Sequence, residues 1–344
     1  MKEIYRFIII WTNMRTLLGA IWRAAVAILD WRTHLRRLKG KPIVDAVFMS
    51  NMRDETDRRR FLGSWRPKRG HFNGPRCWLG DIASRTRALD IVTEDLATSE
   101  GREKAKEFFI DATRWAERNG AKVILLAAGT KRLFGEDGTK LKELFPNLVF
   151  TIGDNGTMFL LKNETLKALE NANLKPGYSR IAVLGPYGFL GEMMVKALKE
   201  EEYDIIGAGP NKFALEKIMN EYGIEVCRTF SEMGKIDAVV ACTHSERIRL
   251  TTENVEMIRR PNKKLLVVDV AEPSNFKYSE FLKCKDVVIR QDAGNAYNPK
   301  LDYVLGPVSY KMFRLTHGVT FGCFAEAISL AIDQKSKNGK EVEV

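Results

Sequence analysis

Apolar and polar positions along the chain change period several times, and each change predicts an element. Plotted at 100° per residue, Met14, Leu17, Leu18, Ile21, Trp22, Ala25, Ile28 and Leu29 share one face, opposite Thr12, Asn13, Thr16 and Arg23, which predicts an amphipathic helix. No charge-free window between Ile8 and Leu29 approaches the roughly 20 residues that span a bilayer. Residues 50–80, with Arg58-Arg59-Arg60 and the glycines and prolines of GSWRPKRGHFNGPRC, show no period and read as loop. From Glu103 to Asn119, Phe108, Phe109, Ala112, Trp115 and Ala116 recur at helical spacing, and Gly120 supplies the stop. Val123–Ala128, Leu148–Ile152 and Met158–Leu161 read as strands, with a turn at Gly129-Thr130 and a helix near Glu164–Asn171.

Beyond Lys175-Pro-Gly-Tyr-Ser179, which reads as a linker, the pattern becomes regular. Arg180–Leu184 is a short apolar run that enters Gly185-Pro-Tyr-Gly188-Phe189-Leu190-Gly191 and then a helix with Leu190, Met194, Ala197 and Leu198 on one face. Further runs at Asp204–Gly207, Glu225–Cys227, Asp237–Cys242, Lys264–Val270 and Asp286–Ile289 alternate with helical segments. The expected fold class is therefore α/β with two domains: a Rossmann-like doubly wound parallel sheet and a smaller α/β substrate domain, preceded by a basic amphipathic arm. The expected boundaries are 1–80 for the arm, 81–175 for the substrate domain, 176–315 for the nucleotide domain and 316–344 for a C-terminal helix packing back on the substrate domain.

Charge changes this picture only at the N-terminus. Lys and Arg outnumber Asp and Glu by 17 to 6 in residues 1–80 and balance at 38 each over the rest, and five of the six tryptophans lie in the same first segment. A basic, tryptophan-rich arm on a neutral body suits an anionic lipid surface or an acidic protein, and two readings of its amphipathic helix stay open: packing on the protein's own core, or in-plane attachment to a membrane. No nucleic-acid module accompanies the arginine run, so nucleic acid is not an expected partner. The five cysteines are widely spaced, with no pairing that would build a zinc site, and no secretory signal is evident. The expectation is a cytoplasmic protein, peripheral at the inner membrane face if the arm binds lipid, with no metal.

The glycine turn carries the first chemistry. A pyrophosphate must reach backbone N–H groups at a helix N-terminus, so Gly185 would make the turn, Gly188 admit the phosphates and Gly191 let helix meet strand, with Phe189 and Leu190 between them. The second strand ends in Ile205-Ile-Gly-Ala-Gly-Pro-Asn211-Lys212 without the carboxylate that an NAD ribose usually meets, and Asn211 and Lys212 would suit a 2′-phosphate, favouring NADPH. Thr243 and His244, after the fourth strand, are candidates to line the nicotinamide side. Near the C-terminus, Thr320-Phe-Gly-Cys323-Phe-Ala-Glu326 opens a helix, placing Cys323 in its first turn, where the helix dipole favours a nucleophilic thiolate. Glu326 follows on the same face, and His317 is a candidate proton donor to a departing thiol.

The string Gly322-Cys-Phe-Ala-Glu-Ala327, the Gly185/Gly188/Gly191 turn, Gly153-Asp-Asn-Gly-Thr157 and the step Asp292-Ala-Gly294 together resemble the long-chain acyl-(acyl-carrier-protein) reductases of cyanobacterial type, over about residues 100–334. The resemblance implies NADPH-dependent reduction of a fatty acyl thioester, carried by an acyl carrier protein or coenzyme A, to a fatty aldehyde through a thioester on Cys323. It also implies that Asp292 and Gly294 belong to the cofactor site. Residues 1–80 are unlike that family, Pro210 or Lys212 stands where it would place an arginine, and His317 has no counterpart in it. An apolar slot for the acyl chain is expected from Phe108, Phe109, Leu125, Leu126 and Phe134. Two other readings remain open: a shikimate- or semialdehyde-type NADP dehydrogenase with Lys131 as substrate anchor, and a non-catalytic, membrane-associated NADP-binding protein with an inert cysteine.

Overall fold

The computed structural model describes residues 17–21, 24–135 and 139–337, so Met14, Trp22 and Arg23 of the N-terminal stripe lie outside the described residues. The chain forms two units. One comprises residues 1–153 and 296–344; the other, residues 154–295, is inserted into it. These boundaries differ from those expected at 80, 175 and 315.

The first unit is built on a six-stranded sheet: β1 (Ala46–Met52), β2 (His71–Leu79), β3 (Ile82–Val92), β4 (Val123–Leu126), β5 (Val149–Thr151) and a late strand, Leu301–Tyr303. From that late strand the order runs β2-β3-β1-β4-β5; β3, β1, β4 and β5 are parallel neighbours, and β2 is antiparallel to both its neighbours. Residues 50–80 are therefore not loop. They hold the end of β1, a helix over Glu55–Leu62 and all of β2, and Arg58 of the arginine run is half-buried and bonds Asp90, Glu55 and Asp95. The missing period has a physical cause: β2 buries the polar residues His71 and Arg76, so apolar alternation fails where pairing is intact.

Alternate residues of these strands face two cores. Val47, Met49, Leu89, Ile91, Ile124 and Leu126 pack under the helix Ser99–Arg118 through Phe109, Ala112 and Ala116. Ala46, Phe48, Leu79, Ile82, Val123 and Leu125 pack on the opposite side against Phe324, Ala327 and Ile328 of the C-terminal helix Gly322–Lys337. Phe109, Leu126 and Phe134 thus sit in one core and Leu125 in the other. The sheet separates them, which removes the single acyl slot expected from these side chains.

The inserted unit begins with the helix Asp154–Asn171. The strand expected at Met158–Leu161 is its first half: Met158, Leu161, Thr165 and Leu169 are the buried positions, a helical spacing that a four-residue apolar run concealed. Six parallel strands follow, β6 (Arg180–Leu184), β7 (Asp204–Ala208), β8 (Glu225–Cys227), β9 (Ala238–Ala241), β10 (Leu265–Asp269) and β11 (Val288–Asp292). Their spatial order is β8-β7-β6-β9-β10-β11, the doubly wound arrangement whose order reverses between β6 and β9. Cores lie on both faces, one around Val239, Val267, Phe276 and Val255, the other around Val183, Met194, Leu198 and Leu161.

Among the described residues no helix is long and apolar enough to cross a membrane. Near the N-terminus Leu17, Leu18, Ile21, Ile28 and Leu29 are exposed, whereas Val26, Asp30 and Thr33 point inward.

Candidate functional site

In the inserted unit, β6 runs into the turn Gly185–Gly188 and then the helix Phe189–Glu200. Gly185 sits at φ +78°, in the left-handed region, and a β-carbon there would lie 2.7 Å from Cβ of Thr243. At Gly191 a β-carbon would fall 2.0 Å from the Gly185 carbonyl oxygen, so helix and turn meet at a distance only glycine permits. Gly188 is different. It is exposed, caps the helix with no side-chain bond, and a β-carbon there would have no neighbour closer than 3.7 Å. Two glycines are thus fixed by packing while the third leaves space over an uncapped helix N-terminus, which is the cradle a dinucleotide pyrophosphate requires. Phe189 is exposed at this start and Leu190 is half-buried against the core.

The end of β7 holds no acidic residue between Ala208 and Lys212. Asn211 is the N-cap of the helix Lys212–Tyr222, its Oδ1 accepting from the N–H of Ala214 at 3.2 Å. That oxygen is therefore committed to the helix, leaving the amide nitrogen for a ligand. Lys212 is largely exposed and lies 3.7 Å from Glu216 one turn on, a weak surface pair that a dianionic phosphate would displace. After β9, Thr243 packs on Gly185, and its backbone oxygen accepts from the fully buried Asn275, which also bonds Leu250 and Ile248. His244 is exposed beside it. Burial pushes the neighbouring Cys242 thiol far up, so it is no nucleophile.

Asp292 is exposed and paired with Arg290 at 2.6 Å. Gly294, at φ +81°, donates its N–H to Oε2 of Glu164 at 2.6 Å. Glu164 escaped the sequence reading because a carboxylate within a helix ordinarily faces solvent. Burial raises its pKa despite the backbone donors Gly294 and Asn295.

The first unit holds the nucleophile candidate. Cys323 is the second residue of the helix Gly322–Lys337 and is partly exposed. Phe324 beside it stacks on Phe48 with ring centroids 4.0 Å apart, fixing the helix start on β1. A β-carbon on Gly153, which has φ +72°, would lie 2.3 Å from Cβ of Cys323, so the glycine of the Gly153–Thr157 stretch leaves room for this cysteine. Thr151, at the end of β5, accepts from the Gly153 N–H at 3.0 Å and donates a short hydrogen bond to Glu326. Glu326 therefore ties its helix to β5. His317 is exposed in the turn before the strand Val319–Phe321. Among the described residues no cluster of three or more His, Cys, Asp or Glu side chains could hold a metal ion.

Parallel order, glycine turn and open helix start define the inserted unit as a Rossmann-type domain of the NAD(P)-dependent oxidoreductases, with NADP(H) the cofactor that the end of β7 suits. Residues 168–287 match the shikimate/quinate 5-dehydrogenase family profile. No curated protein matches the chain by sequence. Among solved structures it is similar to the nucleotide-binding domain of glutamyl-tRNA reductase from Thermoplasma volcanium (12% identity, 53% of this chain and 97% of that one, TM-score 0.29). It is also similar to shikimate 5-dehydrogenase from Thermus thermophilus (16% identity, 51% and 62%, TM-score 0.31) and to L-tryptophan dehydrogenase from Nostoc punctiforme (10% identity, 72% and 69%, TM-score 0.39). The chain thus spans about three fifths of that shikimate dehydrogenase.

Proposed function

We propose that the protein reduces a long-chain fatty acyl thioester to a fatty aldehyde with NADPH. The observation that carries the reading is Cys323, partly exposed in the first turn of a 16-residue helix and seated against Gly153. In this reading the Cys323 thiolate attacks the thioester carbonyl, backbone N–H groups of its helix start stabilise the oxyanion, and the donor leaves as a thiol after taking up a proton. The acyl group then rests on Cys323. NADPH, when bound, supplies the hydride; the carbon–sulfur bond breaks and the thiolate returns as aldehyde departs. Glu326 acts as a positioning residue through Thr151. His317, exposed in the turn before the strand Val319–Phe321, is the proposed proton source for the leaving thiol. The donor, carrier protein or coenzyme A, is an anionic thioester suited to the basic N-terminal segment.

Incubation with radiolabelled palmitoyl-coenzyme A or palmitoyl-carrier protein, without cofactor, should leave a hydroxylamine-labile label on the wild type and none on Cys323→Ser. NADPH should then discharge it as aldehyde. Equal labelling of the two proteins, or none of either, would remove the acyl-enzyme. The family match over residues 168–287 favours a second reading, an NADP-dependent dehydrogenase of a shikimate-like hydroxy acid, with Lys131 in the turn after β4 as anchor. NADP reduction driven by shikimate and indifferent to Cys323→Ser would select it.

A further inference from the structure

A cleft of about 440 Å³ lies between the N-terminal helical segment and the sheet of the first unit, a volume in the range of small-ligand sites. The helical side contributes Val26, Ala27, Asp30, Thr33, His34 and Arg37, and the strands contribute His71, Asn73, Arg85 and Arg87. The cleft belongs to a different face from Cys323. Arg85 and Arg87 stand opposite Val47 and Met49 in the β1–β3 register, on the side covered by the helix Ser99–Arg118, whereas Cys323 packs on the Phe48 and Leu125 side.

The charges in the cleft do not balance. Arg76, fully buried behind it, lies 2.8 Å from Asp30, whose carboxylate also accepts from the Thr33 hydroxyl at 2.7 Å. Arg87 donates to Nδ1 of His71 and to Asn73, and Nε2 of His71 donates to Asp111 at 3.0 Å. Burial, with Arg87 alongside, holds His71 down at about 4, so it contributes no charge near neutrality. Arg85 is left over. Only 8% of it is exposed, among the described residues no carboxylate lies within ion-pair distance of it, Asp30 acting on it only from further off, and its Nε is buried without a hydrogen-bond partner. Burial and Arg76 lower its pKa to about 9, yet it stays cationic at pH 7. Arg37 is exposed on the helical side, Arg69 adds to the field at Arg87, and Arg36 is spent on Asp45. Among the described residues, Arg37, Arg85 and Arg87 line the cleft with Arg76 behind it and Arg69 acting on Arg87, against the carboxylates of Asp30 and Asp111, so positive charge is in excess. A buried, unpaired guanidinium is costly unless something else completes it.

We propose that this cleft binds a phosphomonoester group, with the Arg85 fork as its principal ligand. A dianion matches an excess of positive charge, and a planar guanidinium offers phosphate two parallel donors. The same chemistry is available from a soluble phosphate ester or from a phosphatidate-type headgroup. The same segment exposes Ile28, Leu29, Trp31 and Leu35, apolar residues that would meet the lipid in the second case.

Thermal unfolding of the full-length protein, in chloride and in inorganic phosphate at equal ionic strength, tests the site. The wild type should gain several degrees in phosphate, and Arg85→Met should lose that gain while melting higher than wild type in chloride, because the unpaired charge is gone. Arg85→Lys, which keeps the charge without the fork, should retain less than half of the shift; it also serves if the methionine variant does not fold. A phosphate shift equal in all three proteins, or absent from the wild type, would overturn the proposal. Glycerol 3-phosphate and vesicles of phosphatidate or phosphatidylcholine separate the sources. A shift with glycerol 3-phosphate alone assigns a soluble ester. Arg85-dependent sedimentation with phosphatidate vesicles alone assigns the headgroup, and neither response overturns the site.

Discussion

At the scale of single residues, the seat of Cys323 is set by a glycine 170 positions earlier in the chain. Gly153 combines a left-handed φ of +72° with a contact that leaves no space for a methyl group, so an L side chain there meets backbone strain and overpacking together. Gly153→Ala should destabilise the protein by about 2–4 kcal/mol and abolish acyl labelling of Cys323. Urea unfolding beside the labelling assay would check both. A change below about 0.5 kcal/mol, with labelling intact, would mean that the two residues are not pressed together. The helix start at Cys323 was legible in the sequence. Its dependence on Gly153 was not, because nothing in a one-dimensional pattern says which glycine faces which side chain. Arg85 illustrates the reverse case. Its alternation with Arg87 inside Ile82–Val92 is a period-two signal of two cations on one strand face, and it was overlooked because the run before it read as loop.

At the scale of elements, legibility followed burial on both faces. The central strands β6, β7, β9 and β10 of the inserted unit are largely apolar and buried, and five of the six strands lie within a residue of their expected bounds, since a buried parallel strand between helices has few other readings; β11, with Arg290, Gln291 and Asp292, begins two residues and ends three residues later than expected. The strands β1 and β2 carry polar residues into the fold and were assigned to a basic arm. The N-terminal segment is consequently part of the first unit, held by Asp30 on Arg76 and Arg36 on Asp45. Removing residues 1–42 would therefore strip a buried arginine of its partner, and gain or loss of solubility in such a truncation would report unfolding as much as membrane release. A point substitution is the cleaner probe. Asp30→Ala should cost about 3–5 kcal/mol by leaving Arg76 buried and uncompensated, and adding Arg76→Met should recover most of that loss. Denaturant titrations of the two single variants and the double variant close the cycle. A neutral Asp30→Ala would show that the segment is not docked through this pair.

At the scale of the whole molecule, the nucleotide unit is an insertion whose chain enters at residue 154 and leaves at 295. Its first helix and its last loop are joined by the bond from Gly294 to Glu164, with Thr157 beside Gly294, so the ends of the insertion lie together. Each face of its sheet has a complete core of its own. The other unit is discontinuous: its sheet needs residues 46–151 together with 301–303, and the core on one side of that sheet needs the helix beginning at Gly322. The two units should therefore differ in autonomy. A fragment of residues 154–295 should unfold cooperatively and be stabilised by NADPH, because the glycine turn, the β7 end and Thr243 all lie within it. Residues 1–153 alone should not give a cooperative transition, lacking the Phe324 and Ile328 side of their core. Circular dichroism melts of both fragments with and without NADPH decide the matter. An insertion fragment that melts without cooperativity would mean that its cores are completed from elsewhere, and the Glu164–Gly294 tie would then be a consequence of assembly instead of its cause.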